Sequence, residues 1–196
     1  ISPSRFYIHE SKKNEFAKTF VEKTKKLKLG HGLKEGVNLG PITTKKRLEA
    51  IEKLVEKTKK EGGKVLYGGK RPAGFNKGYF YEPTIIVGLD YKSRTATEEI
   101  FGPVVTIHKF NEIEEAIQIA NSTNYGLAAS IWTQDATLGG DIAEKLDTGM
   151  VWINCWLHRD LRVPFGGVKN SGLGREGGLY SLNFFSELQN ICTMND

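Results

Sequence analysis

Cysteine is scarce in this chain of 196 residues: there are two, Cys155 and Cys192. They are too few and too far apart for a disulfide framework or a metal-binding spacing. That scarcity fits a reducing, cytoplasmic setting. No apolar run approaches the roughly 18 residues of a membrane-spanning helix, so no membrane segment is expected. The first nine residues read as a strand with polar punctuation, not as a secretory leader. An initiator methionine is also missing. Repeats and low-complexity segments do not occur. His9, His31 and His108 are scattered and read as structural or solvated.

What is present describes a folded protein. The chain is 39% hydrophobic and 26% charged, which is the balance of a globular protein and not of a disordered one. A net charge of +5 raises the question of an acidic partner. The lysines, however, follow helical faces: Lys23, Lys25, Lys26 and Lys28, then Lys53, Lys57, Lys59 and Lys60. Glutamates interleave with them and no aromatic platform accompanies them. Nucleic-acid binding is therefore not expected.

Arg5 to Ile8 reads as a strand. Ser11 is placed as the cap of a helix over about 12 to 28, with Phe16, Ala17, Phe20, Val21 and Leu27 on one stripe. Thr44 caps a second helix with Leu48, Ile51, Leu54 and Val55 inward, and Gly62-Gly63 stops it. Strands follow at 64 to 67, 80 to 87 and 104 to 110. Asn111 is placed as the cap of a helix with Ile113, Ala116, Ile117 and Ala120 inside. A strand at 127 to 132, a helix around Leu138 to Leu146, and a strand at 150 to 154 come next. A glycine-rich loop over 163 to 178, a short helix near 179 to 185 and a final strand at 188 to 194 close the pattern. Alternating strands and helices predict an α/β fold on a parallel sheet with helices on both faces.

Three stretches hold the candidate chemistry. In Glu98-Glu99-Ile100-Phe101-Gly102-Pro103, Pro103 suits the first residue of a strand and Gly102 lets the chain turn before it. Glu99 and Phe101 project the same way if the segment is extended, where a carboxylate and an aromatic could hold a sugar diol and a flat ring. The competing reading is a charged loop entering a strand, with Phe101 as a core plug. Cys155 ends a strand next to Asn154, but a lone cysteine is usually a small buried hydrophobe. Gly172-Leu173-Gly174-Arg175-Glu176-Gly177 spells Gly-x-Gly-x-x-Gly. It lacks a preceding apolar strand and a long following helix, so it is rejected as a dinucleotide fingerprint.

Glu-Glu-Ile-Phe-Gly-Pro resembles the motif at the nicotinamide end of the cofactor in the aldehyde dehydrogenase superfamily. So do Leu39-Gly40-Pro41, Gly78-Tyr79-Phe80-Tyr81-Glu82-Pro83-Thr84, Asn124-Tyr125-Gly126-Leu127-Ala128-Ala129, Gly149 to Cys155 and Pro164 to Gly172 resemble other motifs of that family. Ser2-Pro3-Ser4-Arg5 is similar to the segment following the family's nucleophilic cysteine. The run from Cys155 to Gly178 is most similar to the 2-hydroxymuconic and 2-aminomuconic semialdehyde dehydrogenases.

The resemblance implies a three-layer catalytic domain over 1–186, incomplete at its amino end, and an oligomerisation strand over 187–196. It implies oxidation of an aldehyde to an acid with NAD, NADP not being excluded, in a homo-oligomeric enzyme, dimer or tetramer. The nucleophile and an amino-terminal cofactor domain would precede Ile1. The chain alone is then expected to be inactive, with no catalytic residue and no metal. Glu99 and Phe101 would serve the cofactor, and Asn154 and Phe165 would line the aldehyde's path. Arg159 and Arg162, beside Trp156, would pair with a substrate carboxylate, Arg162 first because it lies closer to Phe165. Against this, one arginine could pair with Asp160 or a neighbouring subunit while the other faces water. The alternative for the whole chain is a non-catalytic assembly or interaction module.

Overall fold

A computed structural model describes residues 2–195. The chain divides after Ser122 into two compact units.

The first unit is built on a four-stranded sheet. Strand β1 (Arg5–His9) lies parallel to β4 (Val104–Phe110), with Arg5 opposite Thr106. Strand β4 is in turn parallel to β3 (Thr84–Val87), and β3 pairs antiparallel with β2 (Lys64–Tyr67). The order is β1-β4-β3-β2. The sheet is thus mixed where the alternation predicted a parallel one. The loop of residues 68–83 returns the chain beside β3 without a helical crossover, so β2 pairs antiparallel. The ladder begins at Thr84 and not at Phe80, directly after Pro83, which has no N–H to give.

Helix α1 (Glu10–Thr24) starts earlier than its stripe suggests. Its cap is His9, whose ring accepts a hydrogen bond from the Ser11 N–H, so Ser11 is not the cap. Phe16 and Phe20, one turn apart, stack at 5.4 Å and close on Phe6 of β1, 5.0 Å from Phe20. Helix α2 (Lys45–Lys60) is capped by Thr44, whose hydroxyl accepts from Arg47 N–H at 3.2 Å. It ends ahead of Gly62, which sits at φ +94°. Leu48, Ile51 and Val55 recur at i, i+3 and i+7, and all three are buried. With Tyr81, Ile86, Ile100 and Val104 they form the core. A one-turn helix α3 (Arg94–Thr97) precedes the Glu98–Pro103 motif, and α4 (Ile113–Asn121) follows β4. Its N-cap is Glu112, not Asn111; Glu115 instead reaches back to the Asn111 N–H at 2.9 Å.

The second unit holds β5 (Tyr125–Gly126), antiparallel to β8 (Val168–Lys169), and a parallel pair, β6 (Ala128–Ile131) with β7 (Met150–Ile153). Helix α5 (Ala136–Glu144) makes the crossover between β6 and β7, and Asp135 caps it by accepting from Leu138 N–H at 3.0 Å. Helix α6 (Gly178–Phe185) is followed by residues 186–195, which form no helix or strand. The strand expected at 188–194 is therefore not formed among the described residues. A strand needs a partner ladder, none is offered to it here, and Leu188, Ile191 and Met194 lie in solvent. No helix among the described residues is long and apolar enough to cross a membrane.

His108, on β4, is 6% exposed; its Nε2 lies 3.0 Å from Thr106 Oγ1 and its ring 5.7 Å from Tyr7. Burial, then the Arg5 charge, lowers its pKa below the ordinary 6.5, against the opposing pull of the Leu89 carbonyl and Asp90. The unfolded chain therefore binds this proton first as pH falls. Stability is full above about 6.5 and declines below it. Denaturant midpoints should drop between pH 7.5 and 5.5, above the carboxylate range, and a His108→Gln variant should show a flatter dependence. Parallel curves would mean that His108 carries no part of it.

Candidate functional site

The Glu98–Pro103 loop lies between α3 and β4. Ile100 is its anchor, 6% exposed and part of the core, so the buried plug is Ile100 and not Phe101. The residues on either side face outward. Glu99 is exposed and Phe101 is 67% exposed. Phe101 has φ +52°, so the segment is not extended there and the expected two-residue alternation does not apply. A left-handed phenylalanine costs energy that surrounding contacts must offset. The two carboxylates differ in their partners. Glu98 accepts from Arg94 Nε at 2.6 Å, one turn back on α3. No hydrogen bond or ion pair of Glu99 is found among the described residues, so its carboxylate is open to a ligand. Gly102 packs on α2: a Cβ there would lie 2.3 Å from Ile51 Cδ1. Arg47, one turn before Ile51, donates to the Ile100 carbonyl at 3.3 Å and lies over the Phe101 ring at 5.8 Å. Nothing in the linear pattern ties Arg47 to this loop, 53 residues away.

In the second unit, the chain leaves β7 through Asn154 at φ +55° and Leu157 at φ +53°. The Asn154 side chain is engaged by backbone: its Oδ1 accepts from Thr133 N–H at 2.9 Å and its Nδ2 donates to Thr133 O at 2.8 Å. It extends the β6–β7 pairing by one rung and fixes the exit of the loop. Trp152 Nε1 donates to His158 O at 3.0 Å, which pins the next turn. Cys155 is half-buried, and its carbonyl accepts from Ser130 Oγ at 2.8 Å.

The arginines separate. Arg162 is held by Asp160, with Nε 2.9 Å from Oδ1, and its side chain is 88% exposed. This salt link keeps the Asp160 carboxyl below its usual range. Arg159, not Arg162, is the neighbour of Phe165: its guanidinium lies 4.3 Å from the ring centroid and pairs with Glu176. Phe165 and Glu176 exchange both backbone hydrogen bonds at 2.8 Å. Arg159, Phe165, Glu176 and Ser181 line a hollow of about 370 Å³. Glu176 was not singled out by sequence reasoning, although it lies in the glycine-rich run. That run is no phosphate loop: Arg175 Nη1 donates to the carbonyls of Gly167 and Gly174, both at 2.7 Å, and ties it to itself. Among the described residues, no group of three or more His, Cys, Asp or Glu gathers to hold a metal.

The first unit thus carries an open carboxylate beside an exposed aromatic, and the second a hollow with Phe165 in its wall. The chain belongs to the aldehyde dehydrogenase family, whose model matches residues 1–191. It is 43% identical over 193 residues to 2-aminomuconic semialdehyde dehydrogenase of Mus musculus, covering 96% of this chain and 40% of that protein. Aldehyde dehydrogenase, cytosolic 2, of Macroscelides proboscideus is 42% identical over 97% of this chain and 79% of its own length. The NAD+ complex of an aldehyde dehydrogenase from Bacillus cereus superposes with a TM-score of 0.89 at 40% identity, over 94% of this chain and 37% of that one. The chain thus spans about two fifths of the mouse relative.

The loops depend on close backbone approach. A Cβ on Gly149, at the head of β7, would lie 1.8 Å from the Gly166 carbonyl oxygen, next to Phe165. Backbone cannot step aside as the tip of Ile51 can at Gly102. Gly149→Ala should therefore lower stability by more than the roughly 1–3 kcal/mol of ordinary overpacking, and Gly102→Ala by an amount within it. Thermal denaturation of both variants checks the order; equal losses would show that the Gly149 contact is relaxed.

Proposed function

We propose that this chain forms part of an NAD-dependent aldehyde dehydrogenase that oxidises a carboxylate-bearing semialdehyde to the acid. The observation that carries the cofactor assignment is the loop on which Glu99 stands open beside the outward-facing Phe101 while Glu98 is bound to Arg94. A carboxylate accepts two hydroxyl donors of a ribose, and an aromatic face covers a flat nicotinamide. NAD, when bound, supplies the hydride acceptor. Glu99 holds and orients the nicotinamide ribose, and Phe101 shields the ring from water. The thiolate nucleophile and the cofactor domain lie outside residues 1–196 in this reading, which the two-fifths coverage of the mouse relative supports. Neither Cys155 nor Cys192 is given a catalytic role. The exposed Leu188, Ile191 and Met194 support a homo-oligomer in which the tail pairs as an edge strand. Two free cysteines and a relative named as cytosolic support a cytoplasmic setting.

Glu99→Gln, made in the complete enzyme, should weaken cofactor binding or slow hydride transfer by about ten-fold or more, since a hydrogen bond to a charged acceptor is worth roughly 1.5–3 kcal/mol. Glu98→Gln should leave both nearly unchanged. Stopped-flow NADH formation reads the difference, and equal behaviour of the two variants removes Glu99 from the site.

The substrate side rests on the hollow at Phe165. Its cation is Arg159, with Arg162 held away by Asp160. Asn154 shapes the wall by fixing the loop exit. A semialdehyde carboxylate would compete with Glu176 for the Arg159 guanidinium, a bidentate donor. The second reading, an uncharged aldehyde, draws on the same ion pairs, because both arginines already have acids. The two are separated by kcat/KM for a carboxylated semialdehyde against an uncharged aldehyde of similar length. Arg159→Ala should reduce the preference for the acid by up to about five-fold, the scale of a solvent-accessible ion pair. Arg162→Ala should reduce it less. An unmoved ratio in both variants favours the uncharged substrate.

A further inference from the structure

We infer that Arg47 is a positioning residue for the Glu99–Phe101 loop, holding Phe101 in its outward, left-handed conformation. The inference rests on the assignment of that loop to the cofactor.

Phe101 is in a backbone region that non-glycine residues rarely adopt, at φ +52°, and its ring is two-thirds exposed. Burial of its own side chain therefore cannot hold it there. Ile100 anchors the residue before it, and Gly102 rests on Ile51 after it. Neither contact touches the ring. Arg47 does, and it also holds the peptide just before it. Its Nη1 donates to the Ile100 carbonyl, which fixes the peptide plane leading into Phe101. Its guanidinium lies over the ring itself. A planar, always-charged fork can hydrogen-bond along its edge while its face meets an aromatic, which the point charge of a lysine cannot reproduce. Arg47 itself is set by Thr44, which accepts its backbone N–H, and by Leu48 and Ile51 fixed in the core. The helix start thus carries the loop's geometry. Displacement of an aromatic shield by an ångström changes how a reacting ring is presented, and such misplacement can cost up to about a hundred-fold in rate.

The test uses the complete enzyme and two readouts. Crystal structures of Arg47→Ala and Arg47→Gln report the loop directly; the glutamine keeps a donor for the Ile100 carbonyl and loses the face over the ring. Phe101 should leave the left-handed region or swing its ring in the alanine variant, and the ring alone should move in the glutamine variant. A Phe101 unchanged in both overturns the inference. The kinetic readout is a double-mutant cycle. Arg47→Ala should lower kcat by about ten-fold with the aldehyde KM unchanged, and should add nothing in a Phe101→Ala background. Additive losses would mean that Arg47 acts elsewhere than through Phe101, and would also overturn it. Glu99→Gln is the control for the underlying assignment. A displaced Phe101 with intact rates in both Arg47→Ala and Glu99→Gln would sink the cofactor assignment and leave the clamp standing.

Discussion

The first unit depends on one packed seam, the stripe of α2 against the loop and strand that follow α3. Leu48, Ile51 and Val55 present methyl and methylene groups at helical spacing, and Ile100, Val104, Tyr81 and Ile86 receive them. Burying a side chain of this size is worth about 1.5–3 kcal/mol. The seam also does something a generic core does not. Because Ile100 is one of its members, residues 99 and 101 must leave the core on either side of it. The exposure of a carboxylate and an aromatic is thus a consequence of where the isoleucine is buried. Gly102 completes the constraint, because Ile51 occupies the space that any side chain there would need.

The second unit relies on backbone more than on side-chain burial. Its strands are short, and their register is fixed by close contacts and amide pairing. Gly149 against Gly166 brings the Phe165 loop onto β7, and Asn154 extends β6–β7 through Thr133. The loop beyond is then organised by charge. Arg159 stands between Phe165 and Glu176, and Arg162 is drawn to Asp160. Surface pairs of this kind contribute little stability each, but they decide which guanidinium faces the hollow. Proximity in sequence pointed to Arg162. The local Asp-x-Arg turn removes it from contention, leaving the more distant arginine beside the ring.

The sequence revealed those features that a local pattern controls. Thr44 as a cap, the stripe of α2, the stop at Gly62 and the strand ahead of Asn154 all follow from rules spanning a few residues. The mixed sheet was not legible, because the direction of β2 is decided by how residues 68–83 return. Nor were the caps at His9, where a ring nitrogen takes the Ser11 N–H, and at Glu112, where Glu115 reaches back to the Asn111 N–H. At the candidate site, the exposure of Glu99 and Phe101 does not come from the extended backbone that their spacing suggests. An extended backbone would point both the same way; the actual chain is not extended there, and both residues are exposed through a left-handed phenylalanine and a buried isoleucine between them.

That difference bears on how the site would work. An extended strand sets the direction of its side chains through the ladder alone, and tolerates change in its neighbours. A left-handed residue outside any ladder has no such support. Its conformation must be maintained by contacts from another element, and the element available is the first turn of α2. The same turn supplies the Thr44 cap, the Arg47 contacts and the start of the buried stripe. Stability and site geometry are therefore coupled at one place, and a substitution there need not lower the melting temperature in order to alter the loop. Leu48 and Ile51 carry the burial, whereas Arg47 is exposed and contributes orientation.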